Sequence, residues 1–182
     1  MIEIADPKVD EQVLQSLSDD EKVELIRKHP DLAPIFTNWK VGGGLYLGGC
    51  TGLTDLAPIF TNWKVGGGLY LGGCTGLTSL PEGLEVGSDL YLNGCTGFTS
   101  LPDGLKVGGS LYLRGCTGLT SLPERLKVGG YLDLRGCTGL TSLPEGLEVG
   151  GYLDLGGCTG LTYKKESDLP CRKGIKGKVF WE

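Results

Sequence analysis

Six of the seven cysteines in this 182-residue chain recur in one setting, Gly-Cys-Thr-Gly followed by an apolar residue and Thr, at Cys50, Cys74, Cys95, Cys116, Cys137 and Cys158. Soft thiolates bind zinc and exchange disulfides, so the ladder first raises metal and redox chemistry. The spacing argues against both. Intervals of 24, 21, 21, 21 and 21 residues contain no CxxC pair, and His29 is the chain's one histidine, whereas structural zinc draws on closely spaced Cys and His. Thiols carried one per repeat with parallel Cβ vectors also suit disulfide torsions poorly. Buried, reduced thiols are expected, with no metal and no other cofactor. Cys171, between Pro170 and Arg172, stands outside the ladder, and the cations of Arg172 and Lys173 make it the candidate for a reactive thiol.

A second constellation is aromatic. Each repeat contains Leu-x-Leu, and the residue between the leucines is in turn Tyr46, Tyr70, Tyr91, Tyr112, Asp133 and Asp154. Two residues earlier, on the same side of an extended chain, come Gly44, Gly68, Asp89, Ser110, Tyr131 and Tyr152; two residues later come Gly48, Gly72, Asn93, Arg114, Arg135 and Gly156. Six of the seven tyrosines therefore fall on one face. Such a row is either cross-strand packing, which Tyr favours on a β surface, or a contact surface with large area, low rotamer entropy and a polar tip. For the second reading the candidate partner-binding residues are Tyr46, Tyr70, Tyr91, Tyr112, Tyr131, Tyr152, Arg114, Arg135, Asp133 and Asp154. Two threonine rows, running from Thr51 and Thr54 to Thr159 and Thr162, raise ice binding as a further alternative; local hydroxyl bonds that finish turns explain them more simply. GxxxxGK[ST], HExxH and GxSxG are all missing, and the Gly-Gly pairs lack the strand-to-helix context of a phosphate loop, so no enzyme is expected.

These residues must be positioned by a repeat array. Leu-x-Leu has the period of a β-strand, and one such short strand cannot bury a face alone. Stacked copies at ~4.8 Å per rung form a parallel ladder around a column of leucines, a solenoid. Residues 31 to 54 recur unchanged at 55 to 78, and this pair is three residues longer than the later units because Ala-Pro-Ile-Phe-Thr-Asn-Trp replaces the Pro-Glu-Gly-Leu stretch. That places Trp39 and Trp63 about where Leu84 stands later. Of the 33 glycines, 31 lie between residues 31 and 162, which reads as corners of a coil needing positive φ or close backbone approach. The architecture expected is a parallel β ladder of six turns at 31–162, with mostly turn and 3-10 structure on the convex side.

The open ends of a solenoid need caps. At 1–30, Val13, Leu14 and Leu17, then Val23, Leu25 and Ile26, show helical spacing, with Ser18 or Asp19 as a second helix start and Pro30 as its stop. At 163–182, Val179, Phe180 and Trp181 are suited to covering the last rung as a strand or hairpin. Residues 1–30 hold 8 acids and 4 bases, and 163–182 hold 6 bases and 3 acids, so weak end-to-end self-association is the structural alternative. A net charge of −5 disfavours general nucleic-acid or anionic-membrane binding. With no basic and apolar leader and an odd cysteine count, a cytoplasmic location is expected.

The pattern LxLxxCxxLTxLP resembles the leucine-rich repeat, in particular its short bacterial forms with LTxLP found in secreted effectors, over roughly residues 31–162. The resemblance implies that the strand lines a concave face and that Cys50 through Cys158 close the bend by hydrogen-bonding inside the column. One departure is upstream, where Gly129 replaces the leucine expected three residues before Leu132, within a recurrent Val-Gly-Gly. The function expected is a non-enzymatic module that binds a protein partner through the Tyr-rich face. Alternatives are a bacterial effector or phage anti-defence inhibitor of a host enzyme, and a self-assembling structural solenoid.

Overall fold

The computed structural model describes residues 16–30, 40–56, 63–163 and 165–181; Val13, Leu14 and Trp39 lie outside them. The chain coils as a parallel β-solenoid. Each regular turn contributes two short strands, one to each of two sheets. The first sheet takes the Leu-x-Leu strands β1 (Leu45–Tyr46), β3 (Leu69–Tyr70), β5 (Leu90–Tyr91), β7 (Leu111–Tyr112), β9 (Leu132–Asp133) and β11 (Leu153–Asp154) in sequence order, followed by β12 (Val179–Phe180). The second takes the Val-Gly-Gly approaches: β2 (Lys64–Val65), β4 (Glu85–Val86), β6 (Lys106–Val107), β8 (Lys127–Val128) and β10 (Glu148–Val149).

This second ladder runs beside the Leu-x-Leu ladder that the sequence led us to expect. Its physical reason is that backbone donors reach the neighbouring turn: Gly87 N–H donates to Val65 O at 2.8 Å and Gly129 N–H to Val107 O at 2.9 Å. Three-residue bonds persist at the corners, as in Cys95 N–H to Leu92 O at 3.0 Å. Two 3-10 turns, Glu166–Asp168 and Arg172–Gly174, belong to the C-terminal segment.

The register is strict, Leu pairing with Leu and Val with Val from turn to turn. The column is built from both leucines of each Leu-x-Leu, the valine of the second ladder, the Cys, and the leucines of the LTxL stretch, with Phe98 replacing one of these. Trp63 is buried in the position that Leu84 takes one turn later, since Lys64 pairs with Glu85. Outside the second sheet Lys64 and Lys106 meet Glu85 at 2.8 and 2.7 Å, and Lys127 meets Glu148 at 2.9 Å. Exposed pairs of this kind add little each.

Helix α1 (Asp19–Lys28) starts in a capping box, Ser18 Oγ accepting from Glu21 N–H while the Glu21 carboxylate accepts from Ser18 N–H at 2.9 Å. Acids fill its first turn and Arg27 and Lys28 its last, which complements the helix dipole. Ile26 is buried in the core, and Arg27 Nη2 donates to the Tyr46 carbonyl at 2.8 Å, tying the helix to the first rung. At the other end β12 extends the first sheet and Ile175 bridges Val149 of the second.

Glycine serves two different needs here. Gly94 and its equivalents take φ near +70°, for example +72° at Gly94. At Gly129, by contrast, a Cβ would overlap the carbonyl oxygen of Gly108 one turn back. We expect Gly129→Ala to cost about 2 kcal/mol or more because backbone must move, and Gly94→Ala, which has open space, about 1–2 kcal/mol from φ alone. Urea midpoints of the two variants check the order.

Candidate functional site

Strict register puts one side chain per rung into a single outward column, which reads Tyr46, Tyr70, Tyr91, Tyr112, Asp133, Asp154, Phe180. The four tyrosines form a continuous face-to-face stack, with ring centroids 4.3, 4.6 and 4.5 Å apart and interplanar angles of 11, 11 and 9°. The first two are flanked by glycines, and the rings of Tyr46 and Tyr70 lie back over Gly44 and Gly68, where a Cβ would crowd them; Tyr46, the end of the stack, is 56% exposed.

Aspartate is too short to continue this column. Tyr131, two residues before Asp133, leans in instead: its ring meets Tyr112 edge-on at 5.9 Å, and its hydroxyl donates to Asp154 Oδ2 at 2.9 Å. Asp133 and Asp154 lie beneath the face, 1% and 9% exposed. Arg135 grips Asp133 with two bonds, Nε to Oδ1 at 2.9 Å and Nη2 to Oδ2 at 2.6 Å, and its Nε lies 3.6 Å from Asp154 Oδ2. Gly156 N–H donates to Asp154 Oδ1 at 3.0 Å. The second face tyrosine of this region, Tyr152, is 53% exposed and packs edge-on against Phe180 at 5.8 Å.

The smaller polar groups cap backbone of the next rung. Asp89 Oδ1 accepts from Ser110 N–H at 2.7 Å, Ser110 Oγ from Tyr131 N–H at 3.1 Å, and Asn93 Oδ1 from Arg114 N–H at 3.0 Å. Tyr91 hydroxyl donates to Asp89 Oδ2 at 3.2 Å. Desolvation and the Asp89 carboxylate push the Tyr91 phenol up to about 12. Burial, then the bond to Asp154, raise Tyr131 as well, and the bond to Asp133 holds the Arg135 guanidinium more firmly protonated. Tyr91 and Tyr131 are thus held as neutral hydroxyl donors, and the chemistry the face offers is contact and hydrogen bonding.

The cysteine ladder is internal. Cys74, Cys95, Cys116, Cys137 and Cys158 each donate S–H to the second leucine carbonyl of the preceding turn, at 3.2, 3.1, 3.1, 3.2 and 3.0 Å. All seven cysteines are free and buried. Burial raises the thiols, Cys95 to about 12 and Cys116 and Cys158 to about 11. Cys171 corrects the sequence reading: it is 1% exposed, and burial pushes its thiol up where neighbouring cations were expected to lower it. The second threonine row also bonds between turns, Thr78 and Thr120 hydroxyls donating to the carbonyls of Thr54 and Thr99 at 2.9 and 3.0 Å. Among the described residues no group of three or more His, Cys, Asp or Glu side chains is placed to hold a metal.

The structure therefore brings all ten sequence-proposed residues to one side, with eight at the surface and two supporting it from below. Phe180 is the member that sequence reasoning missed; its signal was the alternation Lys178, Val179, Phe180, Trp181, which continues Leu-x-Leu with different residues. Comparison of the chain with protein families, with curated proteins and with solved structures returns no match.

Two carboxylates sharing one guanidinium makes an asymmetric prediction. Arg135→Met removes the cation from both carboxylates, leaving Asp154 its Tyr131 and Gly156 donors, and should cost about 2 kcal/mol, discounted for the exposure of the arginine, whereas Asp133→Asn leaves Asp154 the cation and should cost less; thermal melts decide. The thiols give another. Unfolded cysteines lose protons from about pH 8.5, folded Cys95, Cys116 and Cys158 only near 11 to 12. The unfolded state then binds fewer protons, so stability present below pH 8.5 is lost as pH rises above it. The melting temperature should fall between pH 8.5 and 10.5, less steeply in a Cys95→Ala, Cys116→Ala variant.

Proposed function

We propose that the chain is a non-enzymatic protein-binding module of the leucine-rich-repeat kind, which contacts a protein partner through the tyrosine face. The observation that carries this reading is the stack itself. Four rings held face to face by their neighbours lose little further freedom on contact, so the entropy of ordering a binding surface is met during folding. The stack presents ring edges and hydroxyls, and the row continues through Tyr131, Tyr152 and Phe180, so aromatic surface runs the length of the first sheet. Among the described residues the exposed large apolar groups, Tyr46, Tyr152 and Phe180, are concentrated there. Long aromatic stripes of this kind mark contact sites on soluble proteins.

Because Tyr70 and Tyr91 have neighbours on both ring faces, they suit a flat partner surface better than deep pockets. Arg114, exposed at the edge of the stack, supplies charge and direction. The burial of every thiol, Cys171 included, supports a role without a cysteine nucleophile.

Affinity capture from the native host, followed by titration of the captured protein, tests this. A Tyr70→Ala, Tyr91→Ala, Tyr112→Ala variant that melts cooperatively should bind that protein at least about 30-fold more weakly, the loss expected of a single ~2 kcal/mol anchor. A folded variant with unchanged affinity refutes the reading.

A further inference from the structure

Two residues after the outward column of the first sheet a second column runs Gly48, Gly72, Asn93, Arg114, Arg135 from rung to rung. Its two arginines differ in what they meet. Arg135 is held by Asp133 and Asp154, whereas Arg114, one rung away and exposed, has no carboxylate within ion-pair distance among the described residues. Beside it the Asn93 Oδ1 accepts from the Arg114 N–H at 3.0 Å, which leaves the Asn93 amide NH2 as a donor. The one acid in this part of the face, Asp89, accepts from Ser110 N–H and from the Tyr91 hydroxyl. Arg114 and Asn93 therefore offer hydrogen-bond donors and a positive charge to whatever approaches.

The two members that precede them are glycines that the coil does not demand. At Gly87 a Cβ would overlap the preceding turn, but at Gly72 the atom nearest a Cβ is Asn93 O, 3.5 Å away, and at Gly48 it is Gly72 O at 3.3 Å. Neither takes a positive φ, and the same position carries Asn and Arg further along. The rings of Tyr46 and Tyr70 lie the other way, over Gly44 and Gly68. A bare ledge thus runs beside the ring stack and ends at Asn93 and Arg114. Its backbone donors are already paired, Gly49 N–H with Gly72 O and Gly73 N–H with Asn93 O, both at 2.8 Å, so a chain lying there gains no strand bonds and is held by its side chains and carbonyls.

Resting on the binding role of the tyrosine face, we infer that the partner protein lays an extended segment along this ledge and sets a carboxylate on the Arg114 guanidinium and the Asn93 amide. Glycine admits close approach of a foreign backbone, and a site that presents only donors and a cation selects an acidic acceptor, which guanidinium binds with paired hydrogen bonds. Three rungs at ~4.8 Å separate Gly48 from Arg114, roughly 14 Å or about four extended residues. Along that length the positively polarised edges of the tyrosine rings favour the carbonyl oxygens of the segment.

The probes are a capped peptide, acetyl-Glu-Pro-Ala-Pro-Ala-amide, and the same residues in reverse order, since either chain direction fits the ledge, each compared with its Gln-for-Glu counterpart. The prolines keep both extended. By NMR on the full chain, one acidic peptide or both should shift the amides of Gly48 and Gly72 and the Nε–H of Arg114, and the Gln counterpart should bind about fivefold more weakly. Arg114→Gln should abolish that difference. Gly72→Gln, in a column that carries Asn and Arg elsewhere, should fold and weaken the acidic peptide about fivefold, while Lys127→Gln on the second sheet should change nothing. No peptide binding, equal binding of the Glu and Gln forms, or unchanged binding by a folded Gly72→Gln overturns the inference. The underlying reading fails separately: a Tyr70→Ala, Tyr91→Ala, Tyr112→Ala variant that loses the captured protein while no peptide shifts the ledge removes the ledge alone, whereas one that keeps the captured protein removes the tyrosine face as the binding surface and the ledge with it.

Discussion

The structure depends on how closely successive backbones approach. Rung-to-rung donors sit at 2.8 to 3.0 Å throughout the first sheet, and this spacing is available only where a side chain does not stand between the turns. The glycine that follows each valine of the second ladder meets that condition: at Gly87, Gly108, Gly129 and Gly150 a Cβ would overlap a carbonyl of the preceding turn. Everything else follows from the coil pitch so fixed. Leucines fall on leucines, thiols reach the carbonyl one turn back, and no buried side-chain nitrogen or oxygen is left unpartnered among the described residues. Since an unpaired buried polar group costs more than a made bond returns, a column of thiols each with its carbonyl is a low-risk way to close the bend.

The same register converts repetition into surface. A one-residue slip would carry the tyrosines into the core and the leucines out, so the identity of the outward column is as well determined as the core. Where the repeated residue is Tyr the rings stack; where it becomes Asp, Tyr131 and Arg135 fill the space, and the face remains continuous. Asp133 and Asp154 lie beneath it, bonded to Arg135 and to the Tyr131 hydroxyl. On the opposite sheet the outward column is Lys and Glu, whose exposed pairs tie neighbouring turns only weakly.

Much of this was legible in the sequence. The period of the GCTG motif and the alternation of Leu-x-Leu define the coil and its inner column, and Ser18 was one of the two helix starts the sequence offered. The tyrosine row was equally readable, because position within a repeat determines position on a face. The second ladder was not read, although Leu-x-Val, as in Leu84, Glu85 and Val86, alternates as Leu-x-Leu does; the glycine that follows each valine drew the reading towards a turn. The burial of Asp133 was hidden for a different reason: an outward-pointing residue is ordinarily exposed, and only the three-dimensional placement of Tyr131 and Arg135 covers it. Cys171 misled because its neighbours in sequence are cations, whereas its surroundings in space are apolar, as the burial of Leu169 and Ile175 on either side shows.

Contacts between tyrosine rings in solution test the central claim, that register stacks the outward column into one ordered face. With the aromatic resonances assigned by NMR, ring-to-ring NOEs should link Tyr46 to Tyr70, Tyr70 to Tyr91 and Tyr91 to Tyr112, in keeping with centroids 4.3 to 4.6 Å apart, and Tyr112 should in turn contact Tyr131. Rings without sequential NOEs, averaging freely in a protein whose rung amides are protected, would contradict it.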